Sequence, residues 1–231
     1  MKLMFRTSAE QSNGRLGPIA MRSPRSAAAE AYRTLRTSLQ FSSLDRALRT
    51  ILVTSPGLGE GKTTVVANLG VAVAESGKKV VLLDCDLRRP GLHTLFGLNQ
   101  SPGLSNALIE DASELPIKTT AVTGLAVLSA GESPPNPAEF IASGRLARLL
   151  ERLRDLADLT LIDSPPTGVV SDAAVLASVV DGVILVVSAG RTRRDEAQQA
   201  HQHLATAGAR VLGAVLNNAR LEKNQRDYYS H

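Results

Sequence analysis

Ser55-Pro56-Gly57-Leu58-Gly59-Glu60-Gly61-Lys62-Thr63-Thr64 decides the fold of this chain. The stretch joins an apolar, β-branched run at 51–54 to a helical pattern that begins at Lys62. This order predicts a phosphate cradle, because the N–H groups of a glycine-rich loop converge on an anion and the helix N-terminus adds partial positive charge. Lys62 can then reach the β- and γ-phosphate oxygens, and the Thr63 hydroxyl suits Mg²⁺. The pattern favours a nucleotide triphosphatase or a kinase.

The loop departs from the usual spacing of this motif. A glycine ordinarily stands five residues before Gly61, where this chain has Pro56. An ordinary strand-to-helix turn therefore remains an alternative on the loop alone. The candidate nucleotide-binding residues of the stretch are Gly57, Gly59, Glu60, Gly61, Lys62, Thr63 and Thr64.

The composition indicates one large α/β domain. The chain has 231 residues, of which 43% are hydrophobic, and one cysteine, Cys85, so no disulfide framework or Cys-rich metal site is expected. No apolar run approaches the roughly 18 residues that cross a bilayer, and we expect a cytoplasmic protein. The net charge of +4 is compatible with an anionic partner or with a solvated surface. Only 3% of residues are aromatic, which argues against a nucleic-acid stacking platform.

Apolar runs recur along the chain, most of them without alternation between apolar and polar residues. They lie at 51–54, 79–83, 125–129, 159–162, 183–188 and 211–216. Helical patterns separate them, at about 62–76, 103–110, 137–157, 171–178 and 194–207. Strands that are buried on both faces have this pattern. We therefore predict an α/β fold, a three-layer, doubly wound, mostly parallel sheet with ligands at the carboxyl ends of the strands.

The two ends of the chain are predicted to be attachments to a core domain at 25–218. Residues 1–24 are expected to be flexible. An Ala-rich amphipathic helix is expected at 25–41, before the first strand, and a polar tail without a pattern at 219–231.

Three acids follow predicted strands. Asp84 and Asp86 share one side of an extended segment, because side chains alternate, and Asp163 ends the run at 159–162. Acids beside a phosphate loop predict Mg²⁺ binding and handling of the proton of a nucleophile. Solvated strand ends are the alternative for the first pair. Asn217, at the end of the last run, either contacts adenine or begins a loop.

With these motifs in view, the chain resembles the bacterial tyrosine kinases (BY-kinases) of capsule and exopolysaccharide assembly, within the ParA/MinD-like P-loop ATPases. The resemblance covers about 25–218. It rests on the modified Walker A motif at 55–64, on a Walker A′ pattern with Asp84, Asp86 and Arg88, and on a Walker B motif at 161–166. Loops at 89–93 and 131–137 also resemble family sequence.

The helix at 25–41 matches the Glu-x-x-Arg-x-x-Arg signature that the family uses for ring assembly. Glu30, Arg33 and Arg36 lie on one stripe of a helix, where they either pair within the chain or contact a neighbouring subunit. The resemblance favours oligomerisation. Gly57 stands where ParA-like loops carry a lysine that crosses a sandwich dimer, which favours a ring.

Two of the three tyrosines, Tyr228 and Tyr229, lie in the last four residues. The resemblance implies that they are autophosphorylation targets, although family clusters usually hold more tyrosines. The ten residues at 220–229 can span about 33 to 36 Å when extended. An incidental polar end is the alternative.

The resemblance implies an ATP-dependent protein-tyrosine autokinase that regulates polysaccharide polymerisation and export. ATP would lie on 57–64 with adenine near Asn217, Mg²⁺ would be held by Thr63, Asp86 and Asp163, and Asp84 would accept or orient the tyrosine proton. The expected partners are a membrane activator of the chain-length-determinant type, further copies of the chain and a cognate tyrosine phosphatase, with no nucleic acid. A membrane partner would recruit the kinase to the inner face of the cell membrane. A ParA/MinD-type ATPase switch and a silent scaffold remain alternatives.

Overall fold

The structure is a computed structural model that describes residues 4–6, 17–42, 47–110, 114–168 and 172–219. The strands are β1 (Met4–Arg6), β2 (Thr50–Thr54), β3 (Val80–Asp84), β4 (Lys118–Thr119), β5 (Leu125–Leu128), β6 (Leu159–Asp163), β7 (Gly182–Ser188) and β8 (Val211–Asn217). The helices are α1 (Ile19–Arg22), α2 (Ala27–Ser42), α3 (Lys62–Ala74), α4 (Leu92–Phe96), α5 (Leu104–Glu110), α6 (Pro137–Ala142), α7 (Gly144–Leu156), α8 (Asp172–Ala177) and α9 (Arg194–Thr206). In the described ranges, no helix combines the length and the apolar character that a bilayer crossing requires.

The strands form one sheet in the order β1-β8-β7-β2-β6-β3-β5-β4. Every neighbouring pair is parallel except β4 with β5. The predicted doubly wound, mostly parallel sheet is confirmed, and all six predicted strands are present. Because β2 lies between β7 and β6, the loop that follows it is surrounded by the carboxyl ends of other strands.

The core lies on both faces of the sheet. All five residues of β2, β3 and β6 are buried. Leu82 packs in the cluster that includes helices α2 and α3, whereas its neighbour Leu83 packs in the cluster that includes α5 and α7. Consecutive strand residues point to opposite faces, so the central strands are mostly apolar along their whole length instead of alternating.

The amino-terminal part of the chain differs from the prediction. The expected flexible segment at 1–24 contains an edge strand, β1, paired parallel to β8, and a short helix, α1. The α1 helix is anchored to α3, because the Ala20 amide donates to Asn68 Oδ1 at 2.9 Å. Helix α2 is part of the core, since Tyr32 and Leu35 are each only 2% exposed. Elements of three or four residues are too short for periodicity to reveal.

The predicted helix at 137–157 is two helices. Ser143 has an extended backbone, with φ −66° and ψ 137°, and separates α6 from α7. This break turns α6 toward α8, which it contacts.

A buried carboxylate joins the amino ends of β2 and β7. Asp181 Oδ2 accepts hydrogen bonds from the Arg49 amide, the Thr50 amide and the Thr50 hydroxyl, each at 2.9 Å. Arg154 Nη2 lies 3.1 Å from Asp181 Oδ1. Desolvation raises the pKa of Asp181, but these donors and the Arg154 charge outweigh it, so the pKa lies below its usual value.

We expect Asp181→Asn to lower the free energy of unfolding by about 2 kcal/mol at pH 7, because charge-assisted hydrogen bonds are lost. A depressed carboxyl pKa stabilises the folded state above the unfolded-state pKa of about 4 and loses that contribution as pH falls through the lower folded pKa. Urea unfolding at several pH values should therefore show the difference from wild type narrowing in acid. Asp155→Asn, an exposed control, should change stability by less than about 0.5 kcal/mol. A constant difference down to the acid limit would contradict the assignment.

Candidate active site

The phosphate loop leads from β2 into α3 and depends on its glycines. Gly59 and Gly61 have positive φ angles of 69° and 94°, a region that favours glycine. Gly61 is the N-cap of α3, and a Cβ added there would overlap the Asn217 side-chain amide. A side chain at 61 is therefore excluded by both backbone and space.

Lys62 and Thr63 begin α3 directly behind this turn. Lys62 is buried, and its charge opposes the desolvation that raises the pKa values of Asp86 and Asp163. Thr63 faces the segment that follows Asp86, because a Cβ added at Gly91 would lie 3.1 Å from Thr63 Cγ2. Thr64, in contrast, is exposed. The first turn of α3 thus places Lys62 near the acids and Thr63 near the 86–92 segment.

Asp84 and Asp163 end neighbouring strands in register. The Cys85 amide donates to the Asp163 carbonyl at 2.8 Å and continues the pairing by one residue. Strands of one sheet lie about 4.8 Å apart, so the two carboxyl groups meet at the same edge as the phosphate loop. The structure therefore brings together three motifs whose members Lys62, Asp84 and Asp163 are spread over about 100 residues of sequence.

Asp84 is engaged by its own chain. Its Oδ2 accepts the Gly91 and Leu92 amides at 3.0 and 3.1 Å, and its Oδ1 accepts the Asp86 amide at 3.2 Å. Desolvation, opposed by these amides, raises the pKa of Asp84 to about 7. The side chain is fully buried, so it fixes the 86–92 segment and is a poor group to approach a tyrosine hydroxyl. The role predicted for Asp84, to accept or orient the tyrosine proton, stays a prediction.

Asp86 is the more accessible acid of the pair, although it is only 6% exposed. Its Oδ1 accepts the Arg89 amide at 3.0 Å. Desolvation raises the pKa of Asp86, and the Arg89 amide and the Lys62 charge oppose that shift.

Asp163 has carboxylate oxygens that could bind a cation. Within the described residues, neither carboxylate oxygen has a hydrogen-bond partner of ordinary geometry, although the Thr63 hydroxyl is close enough to act on this fully buried group. Desolvation, with repulsion from Asp84, raises the pKa of Asp163 well above its usual range, while Thr63 and Lys62 oppose the shift. A buried carboxylate without donors is costly unless a cation or proton joins it. Mg²⁺ is usually bound in proteins by one or two carboxylates together with phosphates and water.

The loop after Asp163 is fastened to the start of the phosphate loop. The Ser164 hydroxyl donates to the Val53 carbonyl at 3.1 Å, the Thr54 hydroxyl donates to the Pro165 carbonyl at 2.9 Å, and the Thr167 amide donates to the Ser55 carbonyl at 2.9 Å. A Cβ at Gly168 would come within 2.5 Å of a backbone carbonyl of the phosphate loop. These contacts hold Asp163 and the loop in one arrangement.

Asp172 is a site residue that sequence reasoning missed. It is buried at the start of α8, and its Oδ2 lies 3.1 Å from Nε of Arg88 in the A′ motif. Its charge also raises the pKa of Asp86. The signal was present in the sequence as an acid nine residues after Asp163, but nothing in that spacing separates it from an ordinary helix-initiating residue.

Glu60 and Asn217 bind the protein itself. Glu60 Oε2 accepts the Gly57 amide at 3.0 Å, and Asn217 Nδ2 donates to the Glu60 carbonyl at 2.9 Å. Both side chains therefore brace the loop within the protein, and their predicted contacts with nucleotide stay predictions.

The α2 stripe is also engaged within the chain. Arg33 Nη1 lies 2.9 Å from Glu30 Oε2, and Arg33 also pairs with Glu75, the C-cap residue of α3. Arg36 Nη1 donates to the Ala72 carbonyl at 2.8 Å.

The predicted autophosphorylation targets, Tyr228 and Tyr229, lie outside the described residues.

The ParA family model, described as NUBPL iron-transfer P-loop NTPase, matches residues 46–229. Tyrosine-protein kinase YwqD of Bacillus subtilis (strain 168) is 41% identical over 212 residues, which cover 91% of this chain and 90% of the relative. The chain belongs to the bacterial tyrosine kinases, within the ParA-type P-loop NTPases. The putative tyrosine-protein kinase CapB of Staphylococcus aureus is 38% identical over 89% of this chain and 91% of its own length.

Solved structures of bacterial tyrosine kinases have the same fold. The kinase domain of Escherichia coli tyrosine kinase ETK is 32% identical, covers 95% of this chain and 91% of its own, and has a TM-score of 0.86. The chimerical protein CapA2B2 has a TM-score of 0.87 at 32% identity, with 94% of both chains covered. The septum site-determining protein MinD of Pyrococcus horikoshii OT3, in complex with Mg-ADP, has a TM-score of 0.63 at 27% identity over 78% of this chain and 76% of its own. A P-loop kinase of this family is a nucleotide-binding enzyme.

Proposed function

We propose that this kinase transfers the γ-phosphoryl group of MgATP to its own C-terminal tyrosines, Tyr228 and Tyr229, and thereby regulates the polymerisation and export of a capsular or exopolysaccharide. The observation that carries the proposal is the meeting of the phosphate loop with Asp86 and Asp163 at one edge of the sheet, in a chain that spans 90% of a tyrosine-protein kinase relative.

In this site, phosphoryl transfer would be accelerated by positioning of the reactants and by electrostatic stabilisation of the transition state. The N–H groups of the phosphate loop and Lys62 would hold the phosphates, and Lys62 would neutralise charge that develops on the γ-phosphoryl group. Thr63, Asp86 and Asp163 would hold Mg²⁺, which when bound neutralises charge on the phosphate oxygens. Asp163 is suited to this role because, within the described chain, neither of its oxygens accepts a hydrogen bond of ordinary geometry.

Asp86 replaces Asp84 in our proposal as the group that orients or accepts the tyrosine proton. Asp84 accepts three backbone amides and is fully buried, whereas Asp86 accepts fewer of them and keeps a 6% exposed fraction. The phenol has a pKa near 10, so a positioned carboxylate should help the transfer. Asp84 would act by holding the 86–92 segment in place.

The partners are proposed from the relatives. A membrane protein of the chain-length-determinant type would activate the kinase at the inner face of the cell membrane. Copies of the chain would assemble into a ring through Glu30, Arg33 and Arg36 after rearrangement of their present pairs, and a tyrosine phosphatase would reverse the reaction. No nucleic acid is expected to take part. The names of the relatives EpsB and CapB, and of the chimera CapA2B2, support the proposed role in capsule or exopolysaccharide production.

We expect Tyr228→Phe with Tyr229→Phe to remove most autophosphorylation in the presence of MgATP, because these tyrosines would be the acceptors. The third tyrosine, Tyr32, is 2% exposed in the core and is not expected to react. Phosphotyrosine should be measured by mass spectrometry, with and without a candidate activator, and Tyr32→Phe serves as a control with unchanged labelling. Label on another residue, or full labelling of the double variant, would contradict the tail assignment.

A ParA/MinD-type ATPase switch is the rival function. The MinD likeness supports it, since the fold is shared over 78% of the chain. Phosphotyrosine formed on incubation with ATP distinguishes the two functions, because a partitioning ATPase releases inorganic phosphate instead.

A further inference from the structure

Glu60, in the phosphate loop, makes several hydrogen bonds to other parts of the protein. Glu60 is only 2% exposed although it stands in a loop at the mouth of the site. Its Oε2 accepts the Gly57 amide at 3.0 Å, and its Oε1 accepts the Thr192 hydroxyl. Its carbonyl accepts Asn217 Nδ2 at 2.9 Å. The acceptor groups of this residue are thus directed into the protein.

Thr192 connects Glu60 to the end of β7. Its Oγ1 accepts the Ser188 amide at 2.7 Å while its hydroxyl proton is donated to Glu60. Its own amide donates to the Ser188 carbonyl at 3.0 Å. The Thr192 hydroxyl therefore acts as both donor and acceptor, and the turn after β7 fixes its position.

The end of β8 completes the arrangement. The Ala189 amide donates to the Asn217 carbonyl at 2.8 Å, and Asn218 Nδ2 donates to the Ser188 hydroxyl at 2.9 Å. Three segments that are distant in sequence, the phosphate loop, the turn at 188–192 and the end of β8, therefore meet at Glu60. We define this set, Glu60, Thr192 and Asn217, as the rear clamp of the loop.

The clamp compensates for the flexibility of the loop sequence. Three of the five residues at 57–61 are glycines, which lose more conformational freedom on ordering than other residues. Hydrogen bonds to a buried carboxylate are among the stronger ones in proteins, and they order the loop before nucleotide arrives. Binding affinity gains when the ordering cost is met in advance.

We propose that Glu60 and Thr192 are positioning residues that hold the phosphate loop ready for nucleotide, with the Glu60 carboxylate acting through the backbone of Gly57 and making no contact with the nucleotide itself. The proposal deepens the nucleotide-binding role of the site and does not depend on which residue receives the phosphoryl group. It assigns a function to the turn at 188–192, which has no counterpart among the Walker motifs.

Thr192→Val is the sharpest test, because valine keeps the shape and removes the hydroxyl. We expect the Kd for MgADP, measured with a fluorescent analogue, to rise about tenfold, with a matching rise in KM for ATP and a smaller change in kcat. Thr192→Ser keeps the hydroxyl and should restore affinity to within about threefold of wild type. Thr206→Val, at the exposed end of α9, is the matched control and should not change the Kd.

Glu60→Gln tests the other half of the clamp and guards against misfolding of the valine variant. The amide offers one oxygen to the two donors that the carboxylate accepts, so one bond is lost and the Kd should again rise several-fold. An unchanged Kd in both folded variants would overturn the proposal, as would a serine variant no better than the valine one. Because the measurement is MgADP binding, absence of kinase activity would refute the proposed function without touching this result.

Discussion

Lys62→Met is expected to reduce autophosphorylation on the order of 10³-fold while the fold persists. Lys62 is buried at the first position of α3, where its ammonium group is directed toward the acids at the sheet edge. Methionine has a similar length but no charge, so the γ-phosphoryl group would lose a fixed cation during transfer. The effect should appear in kcat as well as in KM, because charge on the phosphoryl oxygens changes as the bond to ADP breaks.

Quantitative phosphotyrosine immunoblotting, calibrated with mass spectrometry, measures this loss, and circular dichroism with urea unfolding tests the fold. Lys78→Met is the matched control, since Lys78 is exposed in the connection before β3, and its activity should equal that of wild type. Phosphotyrosine that persists on purified Lys62→Met protein would exclude the phosphate loop as the donor site and with it the proposed kinase.

The sheet could be predicted from the sequence because its determinants are local. Each central strand is buried on both faces, so runs such as 159–162 are mostly apolar without alternation and end sharply at an acid. The elements that the sequence did not predict depend on tertiary contacts. The strand β1 exists through pairing with the edge of β8, and α1 is fixed by a hydrogen bond to Asn68. Neither contact leaves a periodic pattern.

The site shows the same division. Motif spacing brought Lys62, Thr63, Asp86 and Asp163 into one hypothesis, and the structure places them at one edge of the sheet. The spacing could not show which way Asp84 or Glu60 faces, since a carboxylate that binds a metal and one that binds backbone amides look alike in sequence. Asp172 was missed for a related reason, because its partner Arg88 lies 84 residues away.

The contrast between Asp84 and Asp163 leads to a prediction in which activity and stability change in opposite directions. We expect Asp163→Asn to reduce phosphotransfer by about 10² to 10³-fold, because the carboxylate without donors is the group suited to Mg²⁺. Without nucleotide or Mg²⁺, the same variant should be more stable than wild type by about 1 kcal/mol. The amide has the shape of the carboxyl group but cannot ionise, so it avoids the cost that burial and repulsion from Asp84 place on the charged form of Asp163.

Asp84→Asn is the matched control at the paired position of the neighbouring strand. Its carboxylate accepts three backbone amides, so the amide variant should lose about 1 to 3 kcal/mol of unfolding free energy. Thermal unfolding with and without Mg-ADP distinguishes the two effects, since Mg²⁺ should stabilise wild type more than Asp163→Asn. If both variants are destabilised to the same extent in the absence of ligand, Asp163 has a protein partner in solution. That result would contradict the proposal that Asp163 binds Mg²⁺. If Asp84→Asn lowers the free energy of unfolding and Asp163→Asn raises it, then Asp84 stabilises the fold through its backbone hydrogen bonds, whereas Asp163 serves to bind the cation.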